Sequence, residues 1–117
     1  MTDPIAINYI EFNVADIAKS KAFYTHLGWH FTDFGPQYCE FHSGSIKGGF
    51  YQNSEITEIN AGGGALVILY SPEIEKSYQM LQAIGAEITM EITPFPGGKR
   101  FHFKDPDGYV LAIWSDQ

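Results

Sequence analysis

Two residues of this chain, Glu11 and His102, are suited to acid–base chemistry. Glu11 is a charged residue within the apolar stretch from Ile10 to Val14, and a charge in such a strand is seldom buried without a partner. It would serve as a general base or hydrogen-bond acceptor, or else is a solvated or ion-paired strand residue. His102 would serve as an acid/base group or as a hydrogen-bond donor to the ligand, or else is a histidine held by a backbone carbonyl. We predict both as catalytic residues if the protein is an enzyme.

A second group of residues is suited to binding a planar or charged small molecule. Arg100 is the only arginine and follows Pro96-Gly97-Gly98. Its guanidinium group could hold a substrate carboxylate, although an ordinary ion pair is the simpler alternative. Large aromatic side chains could stack on a planar ligand, or they could simply fill the core. The predicted ligand-binding residues are Tyr9, Asn13, Tyr38, Tyr51, Arg100 and Trp114.

Length and charge restrict the possible partners. The 117 residues are enough for one domain with a real core. Seven basic against fourteen acidic residues give a net charge of −7, which disfavours binding to nucleic acid or to anionic membranes. Cys39 is the only cysteine, so no intrachain disulfide is possible. Neither a signal peptide nor a membrane span is indicated, and we expect a cytoplasmic protein.

The elements that must position these residues follow from the hydrophobic pattern. Alternation over residues 5–14 predicts a strand, with Ile10, Phe12 and Val14 on its buried face. Asp16 is a typical cap for a helix that ends at Gly28. Three further strands are predicted at 29–34, 38–42 and 46–51, separated by turn residues.

The second half of the chain repeats this order. Residues 53–64 are predicted to be a linker between a first module at about 5–52 and a second at 65–115. A strand at 65–70 leads to a helix that begins with Ser71 as its cap and Pro72 as its first residue. Strands at 86–92, 100–104 and 109–114 follow. The repeat is also visible in the residues, because Ile17-Ala18-Lys19-Ser20 recurs as Ile74-Glu75-Lys76-Ser77.

Two segments carry a resemblance to a known family. Phe101 to Tyr109, with its Asp105-Pro106-Asp107-Gly108 turn, and the stretch from Val14-Ala15-Asp16 to Leu27-Gly28 resemble the vicinal oxygen chelate superfamily. This group includes glyoxalase I, bleomycin-resistance proteins, fosfomycin-resistance enzymes and extradiol dioxygenases. The resemblance covers nearly the whole chain. It implies an α+β fold in which two βαβββ modules form an open, cup-shaped barrel of mixed β-sheet with helices outside. It does not imply one reaction.

Metal-binding members of that family place His or Glu on the first and last strands of each module. Carried over one by one, these positions fall on Tyr9, on Ala65 or Leu66, on Ala112, and on the strand 46–51, which contains no His, Asp or Glu. Alanine and leucine cannot supply a metal ligand. The sequence therefore predicts the scaffold without a metal site, and no other cofactor is indicated.

Alternation assigns side chains to the two faces of each sheet. Phe101 and Phe103 should face the helices, so Arg100 and His102 should face the cup or its rim. By the same rule Val110, Ala112 and Trp114 face inward. Tyr9, Glu11 and Asn13 would line the cup from the first strand.

Two functions remain open on this basis. The first is a small-molecule-binding protein related to bleomycin-resistance proteins, which holds a partly aromatic or cationic ligand without converting it. The second is a glyoxalase-related lyase or isomerase that uses Glu11 and His102 as base and acid, without metal or with a weak site near Glu11. The resemblance also implies a homodimer. Neither the ligand nor the reaction follows from the sequence.

Overall fold

The computed structural model of the chain describes residues 4–55 and 65–117. These residues form two modules of the same element order, β-α-β-β-β, and each module is a compact unit with its own four-stranded mixed sheet. The predicted α+β fold of two βαβββ modules is therefore confirmed. The cup that the two modules would form together stays a prediction. The predicted linker at 53–64 lies mostly outside the described residues.

The first module is built on a sheet with the strand order β1-β4-β3-β2. Strands β1 and β4 are parallel, and the other neighbours are antiparallel. The elements are β1 (Ile10–Val14), α1 (Ile17–Thr25), β2 (His30–Asp33), β3 (Tyr38–Ser43) and β4 (Ile46–Gln52). The predicted first strand was too long, because Ile5 and Ile7 are almost fully exposed and this part of the apolar alternation packs on no sheet face.

The start of α1 agrees with the sequence. The Asp16 carboxylate accepts hydrogen bonds from the backbone N–H groups of Ala18 and Lys19, at 2.9 and 3.3 Å. Backbone donors in the first turn of a helix have no partner within the helix, and a capping carboxylate supplies one. The helix then buries Ile17 and Tyr24 against the sheet.

The second module has the equivalent order β5-β8-β7-β6, with β5 parallel to β8. Its elements are β5 (Val67–Tyr70), α2 (Ile74–Ala83), β6 (Ile88–Phe95), β7 (Gly98–Lys104) and β8 (Val110–Ser115). The prediction for the start of α2 was wrong by about one half-turn. Glu73 occupies the cap position, while the Ser71 hydroxyl accepts the Glu73 N–H at 3.1 Å and so closes the turn before the helix.

Each module has its own core between helix and sheet. In the first module the core is aromatic: Trp29 stacks on Tyr24 at 4.4 Å and on Phe41 at 4.6 Å between ring centroids. In the second, Phe101 and Phe103 are fully buried on the helix side of β7, as predicted. Neither α1 nor α2, the helices of the described residues, is long and apolar enough to span a membrane.

Candidate functional site

The predicted residues of the second module lie on one face of its sheet. In the pairing of β7 with β8, Arg100 is opposite Trp114 and His102 is opposite Ala112. Directly paired residues point to the same side of a sheet. Because Phe101 and Phe103 occupy the helix side, these four residues lie on the face away from α2.

A groove of about 380 Å³ opens on this face. It is mainly apolar, and Ile68 is half exposed within it. The rings of Phe95 and Trp114 meet edge to face at 6.2 Å between centroids. The residues that line it are Ile68, Phe95, Gly97, Arg100, Trp114 and Asp116. We call this the module-two groove.

The tight hairpin between β6 and β7 forms one wall of the module-two groove. Phe95 pairs with Gly98 at its tip. Gly98 packs against the backbone of Ser115 and Asp116 so closely that a Cβ atom would overlap the Ser115 carbonyl oxygen, and its φ is +151°. Only glycine adopts that backbone region without strain. A Cβ atom on Gly97 would lie 2.8 Å from the Phe95 ring. The two glycines thus allow the hairpin to hold Phe95 beside Trp114.

Arg100 brings a positive charge to the lining of the groove. Its guanidinium carbon lies 6.0 Å from the centroid of Phe95, a cation–π distance. Within the described residues no carboxylate lies within 4.0 Å of it. The neighbouring Lys99, in contrast, pairs with Glu75 at 3.3 Å. Among the described residues, Lys99 is therefore ion-paired and Arg100 is not.

Asp116 supplies a negative charge to the same groove. The Tyr70 hydroxyl donates to the Asp116 carboxylate at 2.6 Å, and this hydrogen bond lowers the pKa of Asp116. Tyr70 also packs edge to face on Trp114 at 5.1 Å. Trp114 is thus held between Tyr70 and Phe95, which fixes the position of its ring.

His102 lies two residues along β7 from Arg100. Its Nε2 atom is buried and has no hydrogen-bond partner among the residues that the structure describes. Burial, and to a lesser degree the charge of Arg100, lower the pKa of His102 below its ordinary value of 6.5. The imidazole is therefore neutral near neutral pH and keeps one unprotonated ring nitrogen.

This lowered pKa predicts a contribution of His102 to acid sensitivity. Below about pH 6.5 the unfolded chain binds a proton at His102 that the folded protein resists, so stability falls as the pH falls through that value. We expect the melting temperature of His102→Gln to decrease less between pH 7.5 and pH 5.5 than that of the wild type. A thermal-unfolding series measures this difference, and an equal or steeper decrease in the variant would contradict it.

The predicted residues of the first module also share one sheet face. Glu11 on β1 and Glu40 on β3 both lie opposite Gly49 on β4, so two carboxylates flank a position without a side chain. The Tyr9 and Tyr38 hydroxyls are 2.9 Å apart and lie over Gly49. In the next row of the sheet Tyr51 lies opposite both Asn13 and Tyr38.

The electrostatics of this face follow from the two tyrosines. Burial raises the pKa of Tyr38 far above its ordinary range, and its hydrogen bonds with Tyr9 and Glu11 act in the same direction. Burial likewise raises the pKa of Tyr9, with the Glu40 charge adding to it. Both hydroxyls therefore stay protonated and act as hydrogen-bond donors near neutral pH.

Sequence reasoning found some members of these sets and missed others. It named Tyr9, Glu11, Asn13, Tyr38 and Tyr51 as candidates, and it assigned the first three of them to a common face of the first strand. It missed Glu40, although Tyr38, Glu40 and His42 alternate with the buried Cys39 and Phe41 along β3.

In the second module, sequence reasoning named Arg100, His102 and Trp114. It missed Ile68, Phe95 and Asp116, whose place in the groove depends on strand pairing and on the hairpin. Glu11 and His102 lie in different modules, and their joint action stays a prediction.

The residues present do not fit the family's metal site. Among the described residues, no group of three or more His, Cys, Asp or Glu side chains is arranged to hold a metal ion. Ala112, at the position of the final ligand, is fully buried in the middle of β8 and offers only a methyl group. No reaction step through a metal is derived for this chain.

Comparison with known proteins identifies the family to which this fold belongs. The family model described as "Glyoxalase/Bleomycin resistance protein/Dioxygenase superfamily" matches residues 6–113. The chain belongs to this superfamily. A search of curated proteins gave no match.

Several solved structures share the fold of this chain at low sequence identity. A glyoxalase family protein from Enterococcus faecalis is 20% identical, with a TM-score of 0.78 over 95% of this chain and 98% of its own. Lactoylglutathione lyase from Agrobacterium tumefaciens is 17% identical, with a TM-score of 0.73 over 97% and 95%. TioX from Micromonospora sp. ML1 is 15% identical, with a TM-score of 0.75 over 96% and 99%. At these identities the likeness concerns the fold alone.

Proposed function

We propose that this superfamily member is a small-molecule-binding protein that works without a catalytic metal, and that the module-two groove is its binding site. The observation that carries the proposal is the guanidinium of Arg100, which has no carboxylate within 4.0 Å among residues 4–55 and 65–117, beside the rings of Phe95 and Trp114. A concave, mostly apolar site with a few convergent polar groups is typical of small-ligand binding. Its volume of about 380 Å³ lies within the usual range for such sites.

A larger groove in the first module is less suited to this role. It measures about 560 Å³ and is lined by residues 7–10, 42 and 44–47. The Tyr9 hydroxyl beside it is already bonded to Tyr38. Among the described residues that line it, Tyr9 is the single Phe, Tyr or Trp side chain, so this groove offers no pair of such rings to a flat ligand. We therefore place the ligand in the second module.

The alternative function is a glyoxalase-related lyase or isomerase. One observation favours it: the buried Nε2 atom of His102 has no hydrogen-bond partner in the described part of the chain, and the lowered pKa of His102 leaves the imidazole neutral and able to accept a proton. In that case Glu11 is the partner acid or base. Lyase or isomerase turnover by the wild type that is lost in both His102→Gln and Glu11→Gln would support this alternative over simple binding.

The binding proposal predicts a specific role for Arg100. Small aromatic carboxylates should bind, and Arg100→Gln should weaken their binding about tenfold or more, since a hydrogen bond to a charged group is worth about 1.5–3 kcal/mol. Trp114 fluorescence reports the titration, with the buried Trp29 of the first module as background. Isothermal titration calorimetry gives the dissociation constants independently.

Lys99→Gln is the matched control. It removes the adjacent positive charge, which pairs with Glu75 and lies outside the groove lining. We expect it to bind the same carboxylates as the wild type does. Equal weakening in both variants would indicate a general charge effect and would contradict the assignment of the groove.

The homodimer and the cytoplasmic location predicted from the sequence belong to this proposal as well. Light scattering coupled to size-exclusion chromatography measures the mass in solution. A monomer mass at micromolar concentrations would contradict the dimer. In that case the module-two groove of a single chain would be the complete binding site.

A further inference from the structure

The module-two groove carries two opposite charges that do not pair with each other. Arg100 and Asp116 both line it. Within the described residues, the guanidinium of Arg100 has no carboxylate within 4.0 Å. The Asp116 carboxylate is held by the Tyr70 hydroxyl at 2.6 Å. A cation and an anion therefore face the same cavity across a gap.

Strand register gives the spacing of the two backbone positions. Arg100 lies opposite Trp114, and Asp116 follows Trp114 by two residues, directly after the end of β8 at Ser115. In an antiparallel pair, a residue and the diagonal neighbour of its partner are about 7–8 Å apart. At that backbone spacing a ligand head group that bears both charges can contact both side chains, with its carboxylate toward Arg100 and its cation toward Asp116.

Aromatic rings line the space beside this gap. Trp114 lies between the two charged residues in the sheet and is braced by Tyr70 on one side and by Phe95 on the other. Ile68 adds an exposed aliphatic surface. A flat or aromatic side group attached to the charged head would pack on this surface.

We infer that the ligand of this groove is an aromatic zwitterion of the α-amino-acid type, whose carboxylate binds Arg100, whose ammonium group binds Asp116 and whose ring packs on Trp114 and Phe95. The inference rests on the proposed binding function and names its ligand class. The Tyr70 hydroxyl contributes indirectly, because its hydrogen bond orients the Asp116 carboxylate toward the groove. Tyr70 is a positioning residue in this arrangement.

Three ligands that differ by one charge test the inference. Phenylalanine carries both charges, 3-phenylpropionate lacks the ammonium group, and phenethylamine lacks the carboxylate. All three are transparent at the excitation wavelength of Trp114, so one fluorescence titration serves for the set. We expect phenylalanine to bind about tenfold more tightly than either of the others, the equivalent of one added charge-assisted contact.

Two substitutions assign each charge to its partner. Arg100→Gln should weaken the binding of phenylalanine and of 3-phenylpropionate about tenfold and leave the binding of phenethylamine unchanged. Asp116→Asn, which keeps an acceptor for the Tyr70 hydroxyl, should weaken the binding of phenylalanine and of phenethylamine and leave the binding of 3-phenylpropionate unchanged. Glu87→Gln, which removes an exposed acid that pairs with Lys104 at 3.8 Å, is the charge-matched control and should change none of the three.

The outcomes separate this inference from the proposed function. If 3-phenylpropionate binds as tightly as phenylalanine and depends on Arg100, the groove is an anion site and the zwitterion is overturned while the binding function stands. If phenethylamine alone binds, the carboxylate contact to Arg100 is overturned. If none of the three changes Trp114 fluorescence or gives calorimetric heat at millimolar concentration, the zwitterion is likewise overturned, and the wider carboxylate panel then decides the proposed function.

Discussion

Phe50→Ala is expected to reduce the free energy of unfolding of the first module by about 3–5 kcal/mol. Phe50 is fully buried and contacts four other rings: its centroid lies 5.1 Å from Phe41, 5.3 Å from Tyr24, 6.0 Å from Phe12 and 6.1 Å from Phe31. Truncation removes the apolar burial and leaves a cavity that such a packed cluster cannot close. Urea unfolding followed by the fluorescence of Trp29, in the same cluster, measures the loss.

The matched control is Phe34→Ala in the same module. Phe34 is 59% exposed, so the same chemical change should cost less than about 1 kcal/mol. The conservative variant Phe50→Leu, which keeps most of the volume, should lie between the two. A Phe50→Ala variant as stable as Phe34→Ala would show that the aromatic cluster is not the core of this module.

Gly98→Ala is expected to be the most damaging glycine substitution in the second module. A Cβ atom there would overlap the Ser115 carbonyl oxygen and approach the Asp116 Cα to 3.0 Å, at a φ of +151°. Overpacking against backbone costs about 1–3 kcal/mol, and a disallowed backbone conformation costs about the same again. The hairpin would separate from the end of β8, and both stability and binding in the module-two groove would be lost.

Gly97→Ala, one residue earlier, separates an effect on ligand binding in the groove from an effect on the stability of the fold. The three atoms nearest to its added methyl group all belong to the Phe95 ring, and a side chain can rotate away where a backbone cannot. We expect little loss of stability but weaker ligand binding, because Phe95 would leave its place beside Trp114. Thermal unfolding and the fluorescence titration, run on both variants, give the two effects separately. Equal stability of the two variants would contradict the close packing of Gly98 on β8.

The fold could be predicted from local signals that act within each element. Asp16 caps α1 in the structure, as the sequence predicts. The alternation of apolar residues correctly predicted that Phe101 and Phe103 lie on the buried side of β7. The predicted ends of helices and strands were less accurate where the same residue type also occurs in turns or in exposed segments. Ser71 carries the chemistry of a helix cap but closes a turn before the helix, and Ile5 and Ile7 have strand character but are exposed.

The candidate site could be predicted only in part, because it depends on pairing between distant residues. Arg100 and Trp114 were each named for their chemistry, but their contact follows from the register of β7 with β8. Asp116 was not foreseen, since its role requires the hydroxyl of Tyr70, 46 residues away in the chain. The position of Gly49 likewise could not be interpreted from the sequence, because only the strand pairing shows that Glu11 and Glu40 lie on its two sides.

The central claim is that the ligand of this protein binds in the module-two groove, and amide chemical-shift mapping tests it most directly. A ¹⁵N-labelled sample is titrated with the aromatic carboxylate or zwitterion that binds best. Binding as proposed predicts that the largest shifts fall on residues 95–100 and 114–116 and decrease in Arg100→Gln. Shifts confined to the face that carries Tyr9, Glu11 and Tyr38, with none in the groove, would contradict the claim and move the site to the first module.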